Sequence, residues 1–301
     1  MSSTSMTEFS YFVMQFNRIV PPIIFIFGTI GNLLSIIAFS SRTLRKNPCA
    51  TYLFGLAIAH LNNLIFGLLL NYLIDAHGID LLTISIVFCR IRFLILHCSV
   101  VLSSWFIILA GFDRYFISSM NVHRRNLSTL KNARRTVAVA VLLCFILYAH
   151  ILGLFTIEQT PTNKICYAQS GTYRIFYDFL FFTTFSFTPP FIMIGVGVAT
   201  LYNTLHVRRQ IDVVENNRSV KSTTSANHIN HFHRKHRQFI KMLLIQLTFT
   251  VVLTLPIAVQ KLYATFTNSI TKDSYRISVE NFFAQFVRTL THVNSAIGFY
   301  L

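Results

Sequence analysis

Apolar residues in this chain fall into long stretches, at about 19–40, 51–74, 84–117, 136–155, 173–206, 238–263 and 281–301. A helix rises ~1.5 Å per residue and a bilayer core is ~30 Å thick, so about 20 apolar residues suffice to cross it. Each stretch reads as a membrane helix. The chain is therefore expected to be an all-α membrane protein: a seven-transmembrane helix bundle over 19–301, preceded by a short polar segment, 1–18. The first stretch is too long for a signal-peptide core and has no small-residue cleavage pattern behind it, so it reads as an anchor that is retained.

The third stretch organises the rest. It begins near Cys89 and ends in Asp113-Arg114-Tyr115, and at ~1.5 Å per residue Cys89 and Arg114 can sit at opposite membrane faces. Pro189 and Pro190 in the fifth stretch and Pro256 in the sixth remove backbone donors and predict kinks. Asn32, His60, Asn63 and Asn294 lie inside apolar runs and must find partners within the bundle.

Composition and charge sharpen the picture. Hydrophobic residues are 53% and charged residues 12% of the chain, which sets aside a soluble enzyme. Net charge is +16, and most of the 26 Lys and Arg fall in three segments, Arg42–Lys46, Arg114–Arg135 and Arg208–Lys241. The positive-inside rule makes that side cytoplasmic and puts the N-terminus outside, with 207–237 as a long cytoplasmic loop. No reader motif or folded basic face suggests nucleic-acid binding. On this threading only Cys89 and Cys166 of the five cysteines lie on the outer side, where disulfides persist, and these two are expected to pair.

Three further patterns carry less. Asn126-Leu127-Ser128 is a glycosylation sequon that cannot be used on the cytoplasmic side. Ser219, Ser222, Thr223, Thr224 and Ser225 lie among basic residues, as in a kinase target or an ordinary linker. His228, His231, His233 and His236 lack a Cys or carboxylate and are interspersed with cations, so a juxtamembrane segment against anionic lipid is preferred to a metal site. No metal and no cofactor is expected.

Seven helices, Cys89 lying 24 residues before Asp113-Arg114-Tyr115, and Cys166 in the second outer loop together resemble the rhodopsin-like (class A) G-protein-coupled receptors. Asn32 matches the family's first-helix Asn, Pro189 or Pro190 its fifth-helix Pro, and Pro256 its sixth-helix Pro. The stretch from Asn294 to Tyr300 looks like the seventh helix of invertebrate neuropeptide receptors. Departures are His60 for the second-helix Asp, Gly298-Phe299 for the seventh-helix Asn-Pro, Thr254 for the sixth-helix Trp, and no Trp in the fourth helix, since Trp105 is the only one. The family's closing Tyr would fall just beyond Leu301, so the chain reads as a piece of a longer protein.

The resemblance implies a plasma-membrane receptor in which an extracellular ligand biases a two-state bundle that activates a heterotrimeric G protein through Asp113, Arg114 and Tyr115. It also implies that the ligand is neither a biogenic amine nor retinal, because Leu96 and His292 stand where those families carry the counter-ion and the Schiff-base lysine. Candidate pocket residues are Arg92, His97, Asp178, Gln260, Lys261, Gln285 and Arg288. Their cationic balance favours a ligand with an anionic group; a short peptide is the first choice and a small-molecule chemoreceptor of the same fold the alternative. A transporter is disfavoured by the absence of an internal repeat, and an enzyme by the lack of a nucleophile, metal cluster or phosphate loop.

Overall fold

The computed structural model describes residues 3–159, 164–217, 245, 248–267, 270 and 272–300. Within these, α1 spans Ser3–Ser40, α2 Pro48–His77, α3 Ile86–Ser118 and α4 Leu130–Leu154. The hairpin β1 (Phe155–Gln159) and β2 (Lys164–Ala168) follows. Next come α5, described in three parts below, α6 (Thr248–Phe266), and α7 (Ser274–Ile297). The first six helices are long and apolar enough to cross a bilayer. α7 is long enough but is made polar by Arg276, Glu280, Arg288 and His292.

Burial shows why α3 is the axis. From Val100 to Ile108 every residue except Trp105 is buried, so this helix is covered around its whole circumference. By contrast α4 exposes Val139, Leu142, Leu143 and Ile146, the lipid-facing side of a peripheral helix. Local chemistry sets the helix ends. Asn47 caps α2 by accepting from the Cys49 N–H at 3.1 Å, with Pro48 in the first turn. Gly78, at φ 67°, ends α2 in the left-handed conformation, with Gly78 and Ile79 N–H groups returning to Ile74 and Leu73 carbonyls. Thr129 caps α4 through the Asn132 N–H.

Several boundaries differ from the sequence reading. The polar segment 1–18 is not separate from the first helix, which starts at Ser3 rather than near Ile19. Phe9, Phe12 and Phe16 share one helical face, and each packs edge-on against Phe282 of α7, with ring centres 5.6 to 5.7 Å apart. α4 starts at Leu130, not 136, so Lys131, Arg134 and Arg135 ride on its first turns. α7 starts at Ser274 rather than 281, its polar first turns held by Lys272–Glu280 and Arg276–Glu280 ion pairs at 2.6 and 2.8 Å. α2 continues to His77, past the expected end at 74.

α5 comprises Thr172–Phe181, a π-helical turn at Phe182–Phe187, and Thr188–Asn217. Residues 207–217 of the expected loop are therefore helical. The remainder of that loop, 218–237, with its serines and histidines, and residues 238–244 of the expected sixth helix lie outside the described residues. The irregularity anticipated at Pro189 and Pro190 sits one turn earlier, because prolines withhold the N–H groups that would bond the Phe185 and Ser186 carbonyls. α2 contains a second π turn, Leu64–Leu69, with no proline in it.

Candidate functional site

A Cys89–Cys166 disulfide, with Cα atoms 6.0 Å apart, ties β2 to the first turn of α3. Arg90 adds a second tie, donating to the Phe155 and Gly153 carbonyls at 2.9 and 3.1 Å. The hairpin is thereby fastened over the end of the bundle where α3, α5 and α6 converge. Its register pairs Cys166 with Ile157 and Tyr167 with Thr156.

Tyr167 begins a chain of contacts into the bundle. Its hydroxyl donates to Asp178 Oδ1 at 2.7 Å, and Thr265 donates to Oδ2 at 2.5 Å. Both oxygens of this buried carboxylate are thus held by hydroxyls. Burial, with Asp178 beside it, pushes the Tyr167 phenol well above its usual range, so it remains a donor. Lys261, half-buried, places Nζ 4.2 Å from the Phe181 ring centre, 5.1 Å from Tyr177 and 5.6 Å from Tyr167. Among the described residues no carboxylate lies within ion-pairing distance of that ammonium. It is a cation held by aromatic faces.

His97 is buried below this cage. Its Nδ1 faces the Phe93 carbonyl at 2.8 Å, so that nitrogen carries the proton and Nε2 accepts from the Tyr177 hydroxyl. Arg92 is also buried, and donates through Nε to the Phe66 carbonyl at 2.7 Å and through Nη2 to Asn71 at 2.8 Å. Phe66 belongs to the π turn of α2, where the wide hydrogen-bond spacing frees a carbonyl. The π turn of α5 repeats the arrangement, its Thr184 carbonyl accepting from Trp105 Nε1 at 3.2 Å. Arg288 pairs with Asp75 at 3.4 Å, at an open rim where the side chains are 37% and 21% exposed. Gln285 accepts from Asn17 of α1 at 3.1 Å, while Gln260 is half-buried on α6. Six of the seven pocket candidates therefore divide into a cage around Lys261, Asp178 and His97 and an α2–α3–α7 group around Arg92 and Arg288, with Gln285 on the α1 side; Gln260 joins neither by a hydrogen bond or ion pair among the described residues.

At mid-bundle, Asn32 donates to the Gly28 and Ser295 carbonyls at 2.7 and 3.0 Å, and Asn63 donates to Ser295 Oγ at 2.7 Å. Asn294 accepts from Thr250 at 3.1 Å. The partner expected for His60 is not present: the Asn32 and Asn63 donors turn to α1 and α7, and His60 Nε2 has no partner among the described residues. His292 is buried, and neither ring nitrogen has a partner among the described residues. A Cβ added at Gly67 would lie 2.5 Å from His292 Cε1, so α2 and α7 touch at this level.

At the opposite end of α3, Asp113 is buried and accepts from Ser128 Oγ at 2.5 Å. Tyr115 Oη accepts from Arg124 at 2.9 Å, and the half-buried Arg114 approaches the Cys49 thiol. Three exposed apolar side chains, Met120, Val122 and Leu127, flank these contacts.

Compared with known families, residues 31–298 match the 7 transmembrane receptor (rhodopsin family) model. The chain belongs to this family. It matches no individually curated protein. As a rhodopsin-family receptor it is a multi-pass protein of the plasma membrane that signals through G proteins, and it is not an enzyme.

The receptor's site includes residues the sequence did not single out. Asn71 and Asp75 are one turn apart on α2 and both face the buried arginine side of the bundle. The signal was present as an i, i+4 polar pair at the end of an apolar run. Thr265 and Tyr167 had no such signal, since isolated hydroxyl residues are common in any loop or helix end, and Ser128 stood out only as the end of the Asn126 sequon.

Proposed function

We infer that this receptor has its N-terminus outside, binds an extracellular ligand carrying an acidic group at the disulfide end, and couples to a heterotrimeric G protein at the Asp113 end. A short acidic peptide is the favoured ligand. The single observation that carries the reading is Lys261, whose ammonium rests on Phe181, Tyr177 and Tyr167. The nearby carboxylate, Asp178, is already engaged by Tyr167 and Thr265. A carboxylate from a ligand would complete the coordination of this cation in a site of low dielectric, where charge-assisted bonds are strong. Arg288 offers a second, weaker seat, because Asp75 already neutralises part of its charge. On this reading the basic segments and the exposed Met120, Val122 and Leu127 face the cytoplasm.

The test is a screen of acidic, neutral and basic peptides and small carboxylates on cells expressing the receptor, read as G-protein nucleotide exchange. Acidic members should activate, and Lys261→Gln should weaken an acidic hit by about tenfold, the equivalent of ~1.4 kcal/mol, while leaving its amidated analogue unchanged. Activation by basic or neutral members with no effect of Lys261→Gln would sink the proposal. A small carboxylate that outperforms every peptide would favour the chemoreceptor alternative.

A further inference from the structure

The Tyr167 ring carries a second cation besides Lys261. The guanidinium of Arg174, in the first turn of α5, lies 5.0 Å from that ring centre, against 5.6 Å for Lys261 Nζ. The two are close enough for their charges to repel. Arg90 and Arg92 spend their Nε donors on the Phe155 and Phe66 carbonyls. Arg174 Nε, by contrast, is enclosed and has no partner among the described residues. Nor does a carboxylate among them pair with this guanidinium. Asp178, one turn further along α5, has both oxygens taken by Tyr167 and Thr265, and Glu158 of β1 is occupied by the Ser170 N–H and hydroxyl at 2.8 and 2.7 Å.

The imbalance extends across this end of the bundle. Arg92, Arg174, Lys261 and Arg288 interact electrostatically with one another and with Asp75 and Asp178, four cations against two carboxylates. Charges drawn away from water need compensation. A ligand with one acidic group leaves a positive charge over, whereas a ligand with two closes the count.

We propose that Arg174 and Lys261 form a two-point seat for a diacid, and that the ligand presents two closely spaced carboxylates, as a peptide ending in Glu with a free α-carboxylate does. This rests on the reading of Lys261 as the seat of an acidic group, and adds the second acid and the residue that receives it. The spacing follows from the shared ring: with both cations within 5.6 Å of one centre, the acids that meet them must be near neighbours. The guanidinium offers a planar fork to one carboxylate and the ammonium a point charge to the other. An amide in place of either acid leaves one cation unmatched, and that loss is how a diacid is told from a monoacid.

Purified receptor in detergent is titrated with acetyl-Ala-Ala-Glu, its carboxy-terminal amide, acetyl-Ala-Ala-Gln and its amide, and separately with glutarate, reading the concentration that gives half the maximal rise in unfolding temperature. The peptide diacid should bind about tenfold more tightly than either monoacid, and the doubly neutral peptide should give no rise. In Arg174→Gln the advantage of the diacid should vanish while a monoacid still binds; Arg174→Lys, which keeps the charge, should retain part of it. The unfolding temperature of each variant without probe establishes that it is folded. Equal binding of diacid and monoacids by the native receptor, or an advantage that survives Arg174→Gln, overturns the proposal. The single-acid reading then stands if Lys261→Gln still weakens the monoacids, and falls with it if no probe raises the unfolding temperature. Glutarate carries the same pair of carboxylates without a peptide: binding as tight as the peptide's supports the seat with a free diacid as its source, and weaker binding supports it with a carboxy-terminal residue.

Discussion

Arg92 Nε donates to the Phe66 carbonyl at 2.7 Å, so a buried guanidinium of α3 closes the backbone gap left by the π turn in α2. Removing the side chain strands that carbonyl and Asn71. An unsatisfied buried group costs ~1–3 kcal/mol, and polar contacts within membrane bundles fall at the low end of such values. Arg92→Met should therefore destabilise the receptor by about 2 kcal/mol, measured by thermal unfolding in detergent. An unchanged midpoint would show that the π turn needs no side chain to hold it.

Gly67 is the second point where α2 is held by a neighbour. Since an added Cβ would lie 2.5 Å from His292 Cε1 and 3.0 Å from Asn63 Oδ1, Gly67→Ala should cost ~1–3 kcal/mol of overpacking. His292→Ala makes room, so the double variant should regain most of the loss. Equal stability of Gly67→Ala and the double variant would contradict the contact.

The hairpin depends on its covalent tie. The Cys89–Cys166 bridge closes a separation of 77 residues, and replacing both cysteines with Ser should cost ~2–4 kcal/mol. Acidic-ligand binding should fall in parallel, because Tyr167, next to Cys166, contributes one wall around Lys261. Mass spectrometry of unreduced, alkylated receptor checks the bridge itself; alkylation at both positions in the native protein would refute it.

The Arg288–Asp75 pair is expected to contribute little. At 3.4 Å and with both side chains partly open to solvent, a double-mutant cycle of Arg288→Gln and Asp75→Asn should give a coupling under about 1 kcal/mol. A larger value would mean that the rim is drier than its exposure indicates.

Sodium should have no specific effect on basal nucleotide exchange. A hard cation seeks several oxygen ligands, carboxylates above all. Among the described residues, the unpartnered buried groups at the α2–α7 level are the His60 and His292 nitrogens and a single amide oxygen, Asn63 Oδ1, with no carboxylate among them. Exchange rates in sodium and in a bulky organic cation at matched ionic strength should agree; selective suppression by sodium would show otherwise.

The sequence disclosed much of this arrangement and concealed the rest for physical reasons. Length and apolarity located the helices, and the distance from Cys89 to Asp113 fixed α3 across the membrane. Asn32 and Asn63 announced that they needed partners, but Ser295 as the shared partner depends on how closely α7 approaches. The π turn in Leu64–Leu69 left no trace, because one extra residue in a uniformly apolar run disturbs no polar pattern. The N-terminal extension of α1 was masked by its polar residues, although Phe9, Phe12 and Phe16 already lay on one face. His60 was expected to find a partner in the bundle, but the Asn32 and Asn63 donors are taken by Gly28 and Ser295.

The two π turns also determine how this receptor can be compared with relatives. An α-helix advances ~100° per residue, and a π turn accommodates one residue more than the straight helix would. Everything beyond Leu69 in α2, and everything before Phe182 in α5, is therefore rotated by about that angle relative to a helix without the insertion. Asn71, Asp75 and Asp178 all lie on the rotated segments. An ungapped alignment with a relative that lacks either turn would match these three to positions about 100° away around the helix, and any ligand specificity transferred along that alignment would be read from the wrong side chains.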